Sequence, residues 1–248
     1  MIRVEGLYKQ FESQDVLKGV SFHVPRGEFL ALIGMSGSGK SVLLKHIAGI
    51  FRPDRGRVLV DGQEIAKLRG RALERLRRRF GFVFQNGALF DSLTVFENVA
   101  FPLQETTKLP KEQIADRVMH ELEQVGLRGS EHKYPAEISG GMIKRTALAR
   151  ALVMDPEIMF FDEPTTGLDP VIARSILELF DSCHQRLGIT GIIVSHDIPE
   201  IFNIVQKVAF VYEGKILALG TPQDIQESED PVVRQFISGS TAGPIQYK

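Results

Sequence analysis

Gly34-Met35-Ser36-Gly37-Ser38-Gly39-Lys40-Ser41 has the residue types and spacing to hold a chain of phosphates. The segment fits G-x-x-x-x-G-K-[ST], a pattern that carries chemistry when it joins a strand to a helix. Both flanks are present. Phe29-Leu30-Ala31-Leu32-Ile33 reads as a buried strand, and Val42-Leu43-Leu44-Lys45-His46-Ile47 as an apolar helix. A triphosphate needs several backbone N–H donors converging on its oxygens, and glycines let the chain curl tightly enough to supply them. The helix N-terminus behind the loop adds a positive dipole end. Lys40 can reach the β- and γ-phosphates, and the Ser41 hydroxyl can hold Mg²⁺.

Further polar residues stand at the ends of apolar runs. Ile158-Met159-Phe160-Phe161-Asp162-Glu163 reads as a strand ending in two adjacent carboxylates. Buried strands rarely end so unless the acids bind a cation or a proton. Asp162 fits a carboxylate acting on Mg²⁺ through water, and Glu163 a general base for an attacking water. Phe80-Gly81-Phe82-Val83-Phe84-Gln85 and Ile192-Ile193-Val194-Ser195-His196-Asp197 are two more such runs. A lone histidine is more often structural, but His196 ends a strand as Gln85 and Glu163 do, and open parallel sheets gather ligands at these ends. Ser139-Gly140-Gly141 is a weak signal alone. It reads as an ordinary cap of the helical run Met142 to Leu152, and equally as a second anion site at an exposed helix N-terminus. Tyr8 and Phe11 each read either as a stacking platform for a purine base or as packing under a hairpin.

These residues need elements to position them. Residues 2–7 and 16–24 alternate as short antiparallel strands about the turn Glu12-Ser13-Gln14-Asp15. From 92 to 155 the pattern is helical throughout, with Pro110 in a first turn, Ile114, Val118, Leu122 and Val125 on one face, and Gly126 as the stop. Asp169-Pro170 is an N-cap and first residue; Ile172, Ile176, Leu179 and Cys183 follow on one face, which makes Cys183 a buried apolar residue. Val208 to Leu219 is a hairpin around Glu213-Gly214. Arg75-Leu76-Arg77-Arg78-Arg79 reads as a solvated helix end sooner than a nucleic-acid patch. In Asn86-Gly87-Ala88-Leu89-Phe90-Asp91, two large apolar residues sit in a loop, either tucked into its own core or offered to an apolar partner. The expected organisation is an α/β domain over 1–222 with a helical insert at about 92–155, then a C-terminal helix and tail over 223–248.

Composition narrows the function. At 248 residues, 43% apolar and 25% charged, the chain can bury a sizeable core. Its 30 basic and 31 acidic residues leave a net charge of -1, so no global basic field favours nucleic acid. The single Cys183 allows no internal disulfide and fits a reducing compartment. No apolar run reaches membrane-helix length, and Met1-Ile2-Arg3-Val4-Glu5 lacks signal-peptide character. Work at a membrane is therefore expected from the cytoplasmic side, through partners.

Gly34–Ser41, Gln85, Ser139-Gly140-Gly141, Asp162-Glu163 and His196, in that order, resemble the ATP-binding cassette (ABC) ATPases over nearly the whole chain. The resemblance implies a P-loop, RecA-like nucleotide-binding domain with an antiparallel β subdomain and an all-helical insert. It implies a head-to-tail homodimer in which ATP lies between the phosphate loop of one protomer and the Ser-Gly-Gly helix of the other. Glu163 then polarises the water, His196 meets the γ-phosphate, Gln85 touches Mg²⁺ and the water, and Asp169 bridges the protomers. Two features depart from the family pattern. Ile138 and Met142 flank the Ser-Gly-Gly where Leu and Gln are usual, and Phe11 stands where many relatives place a stacking Tyr.

A narrower resemblance rests on Gln85-Asn86-Gly87-Ala88-Leu89-Phe90, on Thr94-Val95-Phe96-Glu97-Asn98-Val99-Ala100-Phe101-Pro102-Leu103, on Gly140-Gly141-Met142, and on the tail Asp230-Pro231-Val232-Val233-Arg234-Gln235-Phe236 with Gly243-Pro244. These are similar to the ATPases of Mla-type phospholipid transporters, the MCE-associated systems of Gram-negative bacteria. That likeness implies a subunit at the cytoplasmic face of the inner membrane, bound to a permease pair. It adds a periplasmic MCE-domain lipid binder, a small STAS-domain protein on the helical insert, and a C-terminal tail that reaches the other ATPase protomer. The activity implied is ATP hydrolysis that powers intermembrane phospholipid transport and maintains outer-membrane lipid asymmetry. The alternatives are another cargo, such as amino acids, and a non-transport ABC ATPase.

Overall fold

The computed structural model describes residues 1–246. In chain order the strands are β1 (Ile2–Phe11), β2 (Gln14–Val24), β3 (Phe29–Ile33), β4 (Arg55–Val60), β5 (Gln63–Glu64), β6 (Phe80–Val83), β7 (Ile158–Asp162), β8 (Thr190–Val194), β9 (Lys207–Tyr212) and β10 (Lys215–Gly220). The helices are α1 (Lys40–Ile47), α2 (Gly70–Arg77), α3 (Val95–Thr106), α4 (Lys111–Gln124), α5 (Gly140–Leu152), α6 (Pro170–Leu187), α7 (Pro222–Gln226) and α8 (Pro231–Ser238). Among the described residues no helix is long and apolar enough to cross a membrane.

The chain divides into two units, residues 1–73 with the chain from Thr190 onward, and Glu74–Ile189. In the first, β2-β1-β4-β5 form an antiparallel sheet. β1 runs to Phe11, four residues past the expected end at Leu7. Gly6 has φ +52, and the register to β2 shifts between Val4 and Leu7 and again at Leu7/Tyr8. These bulges break the alternation on which the shorter reading depended. The same unit pairs β3 in parallel with β8 and with β9, and β9 folds antiparallel onto β10. Every residue of β3 and β8 is buried, as continuous apolar runs in a parallel sheet require. The tail folds back on α8. The Gln235 amide donates to the carbonyls of Ser240 and Ile245 at 3.3 Å, and its oxygen accepts from the Ile245 N–H at 2.7 Å. Ile245 is thereby buried on its own chain.

In the second unit β6 and β7 pair in parallel, Val83 opposite Phe161, and α3, α4, α5 and α6 pack as a helical layer. Between β6 and β7 the described chain is helix and loop only. Pro110 is the N-cap of α4, one residue outside the first turn. On α6 the buried stripe is Ile176, Leu177, Phe180 and Cys183, while Ile172 is exposed. Ile172 lies in the first turn and leans instead against Gly141. Burial pushes the Cys183 thiol up, so it is an inert packing group. Arg75, Arg77 and Arg78 are solvent-exposed at the end of α2, as a solvated helix end requires.

Candidate active site

The first unit builds a phosphate cradle. β3 ends at Ile33 and α1 starts at Lys40, with Gly39 in the N-cap place at φ 102 and no side chain capping the helix. The first-turn N–H groups of α1 therefore face the loop rather than a side-chain oxygen. Gly34 has φ +141, and a Cβ there would strike the Val211 carbonyl of β9. A Cβ on Gly39 would press on the Val16 carbonyl at 3.0 Å and on Leu17 of β2. Glycine is required at both places by space as well as by backbone conformation. Lys40 is 5% exposed, and its Nζ donates to the Gly34 carbonyl at 2.8 Å and the Met35 carbonyl at 2.7 Å. The loop thus holds a desolvated ammonium over its own centre.

Ser38 Oγ is buried and has no hydrogen-bond partner among the described residues. A buried hydroxyl left so is costly unless a ligand completes it, and a phosphate oxygen is the matching acceptor. The cradle therefore fits a nucleotide triphosphate on this chain's own atoms.

His196 belongs to the same unit. β8 runs parallel to β3 with Val194 opposite Leu32, so the loops after the two strands leave the sheet at one end. The buried Ser195 ties its backbone to the Leu32 carbonyl and accepts from the Asp197 N–H at 3.0 Å. This turn leaves the His196 ring half exposed, with Nε2 3.9 Å from Asp197 Oδ1. At the end of β1, Phe11 is 40% exposed and Tyr8 44%. Phe11 meets the edge of Phe51 at 5.7 Å, with Lys9 Nζ 5.2 Å over its ring. The Tyr8 hydroxyl end lies against Gly19 of β2.

The second unit carries Gln85 and the carboxylates Asp162 and Glu163. β6 and β7 are parallel neighbours, so Gln85 and Asp162-Glu163 leave adjacent strands in the same direction. Asp162 is buried at the last position of β7. Glu163 has φ 47, a left-handed conformation that costs a non-glycine residue about 1 kcal/mol or more. Of the other acidic residues at positive φ, Glu12, Asp61 and Asp155 do not follow a buried strand, whereas Glu213 follows β9 in a hairpin turn. Thr166 secures the bend. Its N–H donates to the Glu163 carbonyl at 3.3 Å and its Oγ1 to Glu163 Oε2 at 3.2 Å.

Ser139 and Asp169 form a second group. Ser139 caps α5 by accepting from the Met142 N–H at 3.3 Å, and Asp169 caps α6 by accepting from Val171 and Ile172 at 3.1 Å. A Cβ on Gly140 would meet Leu168, and one on Gly141 would meet Ile172. The two helix starts are packed together through the two glycines.

The residues that sequence reading missed are those that hold the Gln85 loop. Lys144 Nζ donates to the Gln85 carbonyl, and Arg150 donates to the carbonyls of Gly87 and Ala88 at 2.7 Å. Asn98, fully buried in α3, accepts from the Phe90 N–H at 2.8 Å and donates to the carbonyls of Phe90, Leu93 and Thr94 at 3.1, 3.0 and 3.0 Å. Phe90 is held half exposed, its ring 4.7 Å from Phe101. With Phe80, Phe82, Phe84 and Pro102 it lines an open groove of about 340 Å³. The loop is thus offered outward instead of tucked into a core. Replacing Asn98 with alanine is expected to destabilise the chain by about 3 kcal/mol, because buried loop groups lose their partners. Urea unfolding reads this; a loss near zero would mean that the loop is held without Asn98.

A profile described as ABC transporter matches residues 17–166. The chain is 41% identical to the intermembrane phospholipid transport system ATP-binding protein MlaF of Haemophilus influenzae, over 100% of this chain and 94% of that protein. It is 42% identical to the probable ribonucleotide transport ATP-binding protein mkl of Mycobacterium leprae, over 98% of this chain and 70% of that protein. Among solved structures it is similar to the ATP-binding cassette MJ0796 in a dimeric post-hydrolysis state bound to ADP and Pi, with TM-score 0.81 and 30% identity, over 90% of this chain and 99% of that one.

Proposed function

The chain belongs to the ABC transporter family and is an ATPase, and we propose that it drives phospholipid transport between membranes. The near end-to-end match carries the cargo class: the phospholipid-transport relative is covered over 94% of its length, the one named for ribonucleotides over 70%.

In this reading the Gly34–Ser41 loop holds the triphosphate, with Lys40 neutralising the β- and γ-oxygens and Phe11 stacking on the base. The orphan hydroxyl of Ser38 supports phosphate as the ligand. Ser41, Asp162 and Gln85 are the oxygen donors suited to Mg²⁺, which when bound neutralises charge on the phosphates. Glu163 takes the proton of the attacking water, and His196 donates to the γ-phosphate. Ser139, Gly140 and Gly141 offer the start of α5 to the γ-phosphate on a second copy of the chain, and Asp169 borders that contact. ATP then bridges two copies, and its cleavage removes the bridge.

The groove beside Phe90 suits an apolar segment of a membrane permease, which would seat this subunit at the cytoplasmic face of the inner membrane. An MCE-domain lipid binder across the membrane, and a small STAS-domain protein near the exposed Met119 and Tyr134, complete the proposed assembly. In domain terms, residues 1–222 carry the ATPase, with the helical stretch at about 92–155 inserted, and 223–248 are its C-terminal extension.

Isolation from native membranes in mild detergent tests this. A permease, an MCE-domain protein and bound phospholipid are expected. A permease with no lipid binder would keep the ATPase and remove the phospholipid cargo.

A further inference from the structure

The Gln85 side chain is exposed, so its aim depends on how its backbone is held. The Gln85 carbonyl accepts from Lys144 Nζ. Lys144 is 5% exposed, and among the described residues no carboxylate pairs with it. Burial alone pushes its ammonium below the usual lysine range. A methionine of similar length would fill the slot without that cost. The side-chain bond that sets Lys144 apart from such a residue ends on Gln85 itself. Arg150 holds the carbonyls of Gly87 and Ala88, further along the loop.

We infer that Lys144 is a positioning residue for hydrolysis, whose buried ammonium fixes the backbone of Gln85 and so aims the Gln85 side chain. The inference rests on the proposed role of Gln85 at Mg²⁺ and the water. It does not pass through Arg150, whose partners are other carbonyls. Lys144 also lies on the helix that starts at Ser139-Gly140-Gly141, so the Gln85 carbonyl and that anion site share one rigid element.

Steady-state ATP hydrolysis by the full chain with its membrane partners tests this in a double-mutant cycle. Lys144→Met is expected to lower kcat roughly ten- to a hundredfold, as small misplacements of catalytic groups do, while leaving KM for ATP within about twofold. The Mg²⁺ concentration for half-maximal rate should rise, and Lys144→Arg should restore most of kcat. Combined with Gln85→Ala, Lys144→Met should add less than about twofold, because both changes remove one function. Losses that multiply, or a folded Lys144→Met with unchanged kcat beside a slow Gln85→Ala, overturn the inference alone. A Gln85→Ala variant as fast as the unaltered chain overturns the role of Gln85 first. Should Lys144→Met fail to fold, Lys144→Gln carries the same cycle with the same decisive outcomes.

Discussion

Lys40→Ala is expected to abolish ATP turnover, lowering kcat/KM by about 10³-fold or more, the range for losing one preorganised charged donor. The fold should survive the change. The Lys40 ammonium is almost fully buried and donates to the Gly34 and Met35 carbonyls. The backbone conformation of the loop is set by the glycines at 34 and 39 rather than by these side-chain bonds. The melting temperature without nucleotide should therefore stay within a few degrees. The rise in melting temperature produced by MgATP should vanish, since a ligand stabilises only as far as it binds. Lys40→Arg should be nearly as damaging, because a planar five-donor fork does not reproduce a compact ammonium between two carbonyls. Paired thermal-shift and phosphate-release measurements decide this. Retained turnover in Lys40→Ala would remove the lysine from the phosphate reading.

The legible parts of the chain were those whose physics is local. Gly34–Ser41 lies within one strand–loop–helix, so its spacing alone defines the cradle. Asp169-Pro170 announced α6 because a cap and its first turn are adjacent in sequence. The Glu213-Gly214 hairpin and the burial of Cys183 were similarly accessible. What escaped was long-range. Lys144 and Gln85 are 59 residues apart, and Arg150 and Gly87 are 63 apart. On a sequence both cations look like the polar side of a helix; only tertiary packing shows them buried against a loop. The partners of Asn98 lie in the preceding loop, in the turn that the capping box of Thr94 and Glu97 closes. One signal was present and unused. Phe80, Phe82 and Phe84 alternate at period two and so share a face, and that face became a wall of the open groove.

Glu163→Gln should separate ATP binding from ATP cleavage more cleanly than any other substitution in the chain. The amide keeps the shape of the carboxylate and can still accept from Thr166 Oγ1, now at 3.2 Å, so the left-handed bend at φ 47 is preserved. Only basicity is lost. If Glu163 takes the proton of the attacking water, turnover should fall by about 10²–10⁴-fold, the usual worth of a positioned general base, with nucleotide affinity intact. Binding without cleavage should then accumulate the ATP-bridged pair of copies, because the γ-phosphate that links the two anion sites is never removed. Size-exclusion chromatography with MgATP is expected to show a stable dimer for Glu163→Gln and a transient one for the unaltered chain. Glu163→Ala provides the control for the bend. It removes the Thr166 bond together with the base, so a rate close to that of Glu163→Gln assigns the loss to the base rather than to the turn. If Glu163→Gln hydrolyses ATP at the unaltered rate, the base lies elsewhere, and the strained conformation of Glu163 serves only the turn from β7 toward α6.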